Sequence, residues 1–463
     1  MAESVRSVWI VPARSACAEE VVVGRSLRVL PGTREVSEAS WRGREVVLKV
    51  FHHRWKARCH YRRELRGLRR LAQLGFRAPV LLLSGRTKER HWAVVTEKID
   101  HAATGLEVWR QADTVQQKVD LLCLIAAELA RHHRKGVTQA DLHIGNFMLR
   151  GDAVFSLDVA QMSFRGRPLG RRASIEDLAK LLSCLGDDKF WGIDAVANAY
   201  AKERQWQWSQ ADDEAVRRRV GVLRRKVVER LVRSSLRTTS RTLRFRHGRF
   251  RGVFEKELAA ESPPSQFCDA LDTLLREGEV LKDGNTCFVA RVRWDQCDVV
   301  VKRYNHKGFW HSLRHTLKGS RARRNWLHAH RLRFLGIPTA RAVAYIDEWR
   351  GPLLWQSYFV TAFIQARSLS HLMGDARADR STKEMRSRQV LQLLERLADH
   401  RITHGDTKHS NFLLDADRAV LTDLDGMRVH RLYWTLRRRF NREVMRFAQD
   451  CDWLKDLVKA WQR

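Results

Sequence analysis

One arrangement of polar residues occurs twice in this chain, and it restricts the folds open to it. Near the end the sequence reads HGDTKHSNFLLDADRAVLTDLDG, from His404 to Gly426; far upstream it reads TQADLHIGNFMLRGDAVFSLDVA, from Thr138 to Ala160. In each copy an Asp is followed five residues later by an Asn and, 17 residues after the first Asp, by a second Asp. The residues are Asp141, Asn146 and Asp158 in the first copy and Asp406, Asn411 and Asp423 in the second. Self-similarity over such a distance signals duplication, so the flanking elements should recur in the same order.

They do. Each copy has a β-branched strand with a central lysine, VVLKVF at 46–51 and VVVKRY at 299–304. Each then has an Arg-rich helical stretch closing on Gly and a nearby Pro, RRELRGLRRLAQLGFRAP at 62–79 and RRNWLHAHRLRFLGIP at 323–338. A strand-like run follows (WAVVTEKI, YFVTAFI), then a longer helical stretch (VDLLCLIAAELARHHRKG, RQVLQLLERLADHRI), and only then the Asp-x4-Asn segment. Five elements in one order, twice, make a tandem duplication the best account. A strand lysine, a glutamate on the next helix, Asp-x4-Asn and then an Asp after a short hairpin is the phosphotransfer set of the protein-kinase fold. The expectation is therefore an α+β protein of two tandem protein-kinase-like bilobal domains, each with a small β-rich lobe and a helical lobe. A chain of 463 residues has room for both.

The recurring residues make chemical sense together. ATP brings several negative charges, and phosphoryl transfer needs a positioned cation, metal ions and a base beside the acceptor hydroxyl. Lys49 shares a strand face with Val47 and Phe51 and is expected to point into a nucleotide cleft, with Lys302 its counterpart. Glu64, fifteen residues on, is placed to hold Lys49 by an ion pair. Asp141 and Asp406 are the expected catalytic bases; Asn146, Asp158, Asn411 and Asp423 are the expected Mg²⁺ ligands through oxygen. Taken singly, each feature is weak. A strand lysine usually lies along the surface, and Asp and Asn commonly serve as turns and caps. Order, duplication and equal spacing carry the reading.

At these residues the chain resembles a known family. SRARRNWLHAHRLRFLGIPTARAVAY, VVVKRYNHKG and HGDTKHSNFLLD…LTDLDGMR are similar to the lipopolysaccharide core kinases, the WaaP/KdkA/InaA group. The resemblance is specific over roughly 276–463, while the first half resembles a more diverged relative. It implies a cytosolic kinase-fold enzyme that uses ATP and Mg²⁺ to phosphorylate a sugar hydroxyl, on heptose or Kdo, of the lipopolysaccharide inner core. The sequence leaves other readings open: a weak or inactive kinase-like scaffold in core assembly, or a kinase with a protein or other small-molecule acceptor.

Three departures stand out. Neither half has a Gly-x-Gly-x-x-Gly loop. The histidine before the catalytic Asp is His404 in the second half but Gln139 in the first. Glu64 lies eleven residues before Gly75, and eleven before Gly336 stands Asn325, an amide that offers Lys302 no charge. The second site then uses another acid, binds nucleotide differently, or is partly inactive. Restoring the acid by Asn325→Glu is expected to tighten nucleotide binding there if Lys302 faces the same helix.

Composition bounds the partners. Lys and Arg total 86 against 53 acidic residues, a net charge of +33, which attracts polyanions such as phosphorylated substrates or anionic headgroups. The run Arg217–Lys256 holds fifteen Lys or Arg and two acidic residues. The expected partners are lipopolysaccharide core or its precursor and the anionic inner face of the inner membrane, met peripherally. No interleaved basic and aromatic recognition motif is present, so no specific nucleic acid is expected. Eight cysteines without a Cys-x-x-Cys pair argue against zinc and a disulfide framework. The N-terminal stretch MAESVRSVWIVPARSACAEE lacks the apolar core of a signal peptide, and a cytoplasmic location is expected. The expected divisions are a first domain over 1–236, a basic connecting segment and linker over 237–275 that includes AAESPPSQFCDA, and a second domain over 276–463. Oligomeric state is left open.

Overall fold

The computed structural model describes residues 6–12, 17–52, 56–183, 192–305, 316, 319–416, 418–449 and 451–462. The last residues of VVVKRYNHKG and parts of the N-terminal stretch discussed above lie outside them. The chain divides into two compact units, Met1–Arg225 and Lys226–Arg463, and the division falls inside the helix Gln210–Ser234.

In the first unit six antiparallel strands close on themselves. Their order is Arg6–Pro12, Glu19–Leu30, Arg34–Trp41, Arg44–Phe51, Trp92–Glu97 and Leu81–Thr87. Closure comes from the first and last of these, with Ile10 opposite Thr87. Alternating apolar residues place Ile10, Val21, Val46, Leu48 and Val95 inside. The helix Ala57–Gln73 lays Tyr61, Leu65 and Leu68 against Phe51, Val94 and Val159. It comes so close to the segment after Asp158 that a Cβ at Gly67 would lie 2.5 Å from the Val159 carbonyl oxygen. Only glycine fits there. The helix stops at Gly75, the glycine on which the sequence closes this stretch, and its φ of +76° is a left-handed conformation that glycine adopts without strain.

The helical part of this unit is built on Val115–Arg134, started by a capping box between Thr114 and Gln117. Leu122, Ile125 and Leu129 pack with Leu178 and Leu181 of Arg171–Ser183 and with Val196 and Tyr200 of Ile193–Arg204.

The second unit has an open antiparallel sheet of seven strands. Their order is Thr242–His247, Phe250–Glu255, Ala342–Arg350, Leu353–Ala362, Cys297–Tyr304, Cys287–Trp294 and Glu279–Gly284. Helix Pro264–Glu277 covers one face through Phe267, Leu271 and Leu275. Helix Arg321–Phe334 packs with Tyr345 and Phe359 through Trp326 and Ala329. A helical lobe follows, with Val390, Leu391, Leu394 and Leu397 of Arg380–Asp399 meeting Phe412, Val444 and Phe447.

The segment 237–275 is therefore not a linker. Its arginines are the exposed positions of an edge hairpin: Arg244, Arg246 and Arg251 point outward while Phe250, Val253 and Phe254 are buried. Charge on an outer strand blocks further strand pairing. The Pro-Pro pair also has a different meaning from the one expected. Pro263 is the N-cap and Pro264 the first residue of a helix, a position where a missing N–H costs nothing.

Candidate active sites

Both Asp-x4-Asn segments fold alike. In the first unit a short strand, Val137–Gln139, leads into the loop, which ends in a 3-10 turn at Ile144–Asn146 and a hairpin, Phe147–Arg150 with Ala153–Ser156. In the second, Ile402–Thr403 leads to the 3-10 turn His409–Asn411 and the hairpin Phe412–Asp415 with Arg418–Leu421. The Asn is held by the loop it closes. Asn146 Nδ2 donates to the Asp141 carbonyl at 2.6 Å, and Asn411 Nδ2 to the Asp406 carbonyl at 2.9 Å. In both copies the amide nitrogen is the anchoring atom. After each hairpin the second Asp takes a left-handed conformation, with φ of +49° at both Asp158 and Asp423. Such strain in a non-glycine residue is held in place only by surrounding structure.

Asp141 is well exposed, with His143 Nε2 3.8 Å away. Asp406 is more enclosed and has Arg446 Nη2 at 3.1 Å. Asp158 accepts from Gln161 Nε2 at 3.0 Å and has Arg34 at 3.8 Å. Arg34 opens the strand Arg34–Trp41 after the turn at Gly32.

Gln139 and His404 resolve one departure. His404 is fully buried, with Nε2 3.0 Å from the Thr422 carbonyl and Nδ1 2.9 Å from the Asp406 carbonyl. Burial lowers its pKa. Gln139 Nε2 donates to the Leu157 carbonyl at 3.1 Å. Both side chains thus clamp the residue just before the second Asp, one with a ring nitrogen and one with an amide.

The lysines are placed differently. Lys49, on the strand Arg44–Phe51, pairs with Glu64 of the helix Ala57–Gln73, and Glu64 is 1% exposed. The second Glu64 oxygen has no hydrogen-bond partner among the described residues. Lys302 Nζ instead donates to Asp423 at 2.6 Å and to Asp425 at 2.9 Å. Asn325 is buried nearby and donates to Asp425 Oδ1 at 2.6 Å. Burial alone would raise the Asp425 carboxyl, but the charges of Lys302 and Arg321 outweigh it and hold it at about 2. Burial likewise works against the Lys302 ammonium, and Asp425 and Asp423 outweigh it and raise its pKa.

Of the three outcomes left open for Asn325, another acid is the one present. Sequence reasoning missed Asp425. Its signal was a difference between copies: TDLDG (422–426) carries Asp425 where SLDVA (156–160) has Ala160.

The residues fit Mg-ATP. In the second unit a cleft of about 810 Å³ has Val289, Val300, Phe359 and Leu413 as apolar walls and Lys302 and Asp423 at its charged side. Apolar walls with a few convergent polar groups suit a nucleotide base joined to phosphates. Among the described residues no three His, Cys, Asp or Glu side chains gather as a metal cage. One Asp and one Asn per site match a Mg²⁺ that keeps its waters and takes phosphate oxygens.

The model of the Lipopolysaccharide kinase (Kdo/WaaP) family matches the chain twice, over residues 32–219 and 273–448. No curated protein matches it. Among solved structures, the PknI kinase domain of Mycobacterium tuberculosis is similar at 16% identity and a TM-score of 0.29, covering 43% of this chain and 95% of that one.

Proposed function

Since the chain belongs to the lipopolysaccharide kinase (Kdo/WaaP) family, and so to the phosphotransferases, we propose that it moves the γ-phosphoryl group of ATP to a sugar hydroxyl, on heptose or Kdo, of the lipopolysaccharide inner core. The observation that carries this reading is the recurrence, in both units, of an Asn locked to the carbonyl of a loop Asp, a left-handed second Asp and an ion-paired strand lysine.

In this reading Lys49 and Lys302 bind nucleotide phosphates. Asn146 with Asp158, and Asn411 with Asp423, would hold Mg²⁺, which would neutralise charge on the phosphates when bound. Asp141 and Asp406 each orient the acceptor hydroxyl and take its proton as its oxygen bonds to the γ-phosphorus. The bond from that phosphorus to the bridging oxygen breaks, and ADP leaves with the electron pair. Transfer of labelled phosphate from ATP to core oligosaccharide by the intact chain tests the reading.

An acceptor anchored in a leaflet implies docking at an anionic membrane surface. Among the described residues no helix is long and apolar enough to cross a membrane. Peripheral contact is supported by an exposed apolar trio, Leu432, Tyr433 and Trp434, at the start of the helix Tyr433–Phe447, followed by exposed Arg437, Arg438 and Arg442. Tyr and Trp favour the headgroup level, and arginines beside them favour anionic lipid. In the Arg217–Lys256 run some charge is already neutralised, since Arg217 pairs with Asp194 and Arg219 with Glu176.

A further inference from the structure

Four positions around the strand lysine change together between the two copies. Glu64 becomes Asn325, and Ala160, two residues past the second Asp, becomes Asp425. Phe51, two past the lysine, becomes Tyr304, and His60, one turn before the helix glutamate, becomes Arg321. The new residues meet on one carboxylate. Asp425 Oδ2 accepts from Lys302 Nζ at 2.9 Å and from Arg321 Nη2 at 2.8 Å. Its Oδ1 accepts from the Tyr304 hydroxyl at 2.9 Å and from Asn325 Nδ2 at 2.6 Å. Asn325 also donates to the Tyr304 oxygen.

Such saturation distinguishes a built position from an incidental contact. A buried carboxylate costs several kcal/mol unless its lone pairs are met by donors and counter-charge. Here both oxygens are met, by two cations, a phenol and an amide. Asn325 is then no remnant of a lost glutamate. A carboxylate at that place would face Asp425, whereas an amide N–H supports it.

We propose that Asp425 is the positioning residue of the second cleft. It holds Lys302 for the nucleotide phosphates in place of a helix carboxylate, and it makes this cleft a working site. The charge that Glu64 supplies from a helix in the first unit comes, in the second, from the 3-10 turn Leu424–Gly426, directly after Asp423. The residue that steadies the lysine and the expected metal ligand are thus carried by one turn. The proposal rests on the reading of Lys302 as a phosphate ligand.

The test is calorimetric titration of the full chain with Mg-ATP, with Lys49→Met as the parent so that the second cleft reports. Asp425→Asn keeps the shape of the side chain and removes its charge; it should weaken binding about tenfold or more. Moving the charge to the helix, in Asn325→Glu with Asp425→Asn, should recover most of that loss, which a merely structural role for Asp425 would not allow. With Lys302→Met added, Asp425→Asn should change affinity no further. Unaltered binding by Asp425→Asn, no recovery in the charge-moved variant, or an equal loss without Lys302 would each overturn the proposal. A parent that binds no Mg-ATP would overturn the prior reading of this cleft as a nucleotide site. Thermal melts of each variant show that folded protein is being titrated, and the charge-moved variant keeps the test decisive if Asp425→Asn does not fold.

Discussion

Asn325 donates its amide N–H to Asp425 at 2.6 Å, so the residue standing where the first unit has a helix carboxylate instead supports a charge carried by the turn Leu424–Gly426. This reverses the effect expected of Asn325→Glu from sequence alone. Two carboxylates would then share one buried site, and one would have to take up a proton or move away. The single substitution should weaken Mg-ATP binding at the second cleft by about tenfold. Nucleotide titration decides it, and tighter binding would contradict the Asp425 network.

Gln139 should be replaceable by histidine but not by alanine. Its amide makes the contact to Leu157 that His404 makes to Thr422. Gln139→Ala should cost about 0.5–1.5 kcal/mol in denaturant unfolding of the first unit. Gln139→His should lose less than half of that. Equal losses would show that the clamp on Leu157 has no energetic weight.

Asp347 gives the second unit a pH dependence with a definite sign. It lies in the strand Ala342–Arg350, one of its oxygens lacks a hydrogen-bond partner among the described residues, and burial raises its pKa to about 7 against the pull of Ser320 and Arg323. A carboxyl with a higher pKa folded than unfolded is bound to its proton more tightly in the native state. The native state therefore suffers no penalty below about pH 4, loses stability as pH rises toward 7, and carries the full cost above it. Asp347→Asn should melt roughly 4–8 °C above the parent at pH 8 and level with it near pH 4. A difference that does not vary with pH would refute this.

Docking at the Leu432–Trp434 patch should need both its parts. Co-sedimentation with anionic vesicles should fall steeply between about 0.05 and 0.5 M salt, since exposed charges are screened over that range. Replacing Tyr433 and Trp434 by serine should weaken it several-fold, because each ring loses roughly 1–2 kcal/mol of apolar burial. Equal binding to neutral vesicles would contradict the account.

How far the chain could be read in advance followed from what its residues must do. Lys49, Lys302 and the two Asp-x4-Asn segments were legible because they recur in the same order and at matching spacing in both copies. The Glu64 ion pair was expected and is present. Asp425 was not legible, because Asp-Gly at the end of a short loop reads as a turn and only its partners in space reveal the charge it neutralises. The edge hairpin 242–255 was hidden by its own arginines, whose charge masked the alternation of Phe250, Val253 and Phe254. Pro263 and Pro264 misled for a related reason, since proline both breaks elements and starts them.

The central claim is that two separate phosphotransfer sites act on a core sugar, each with its own base. It is tested most directly by transfer of labelled phosphate from ATP to defined lipopolysaccharide core oligosaccharides, using the intact chain, Asp141→Ala, Asp406→Ala and the two substitutions combined. Loss of a base costs about 10²–10⁴ in rate. Each single variant should therefore keep the turnover of its intact site, and the combined variant should fall by that factor overall. Undiminished transfer by the combined variant would contradict the account.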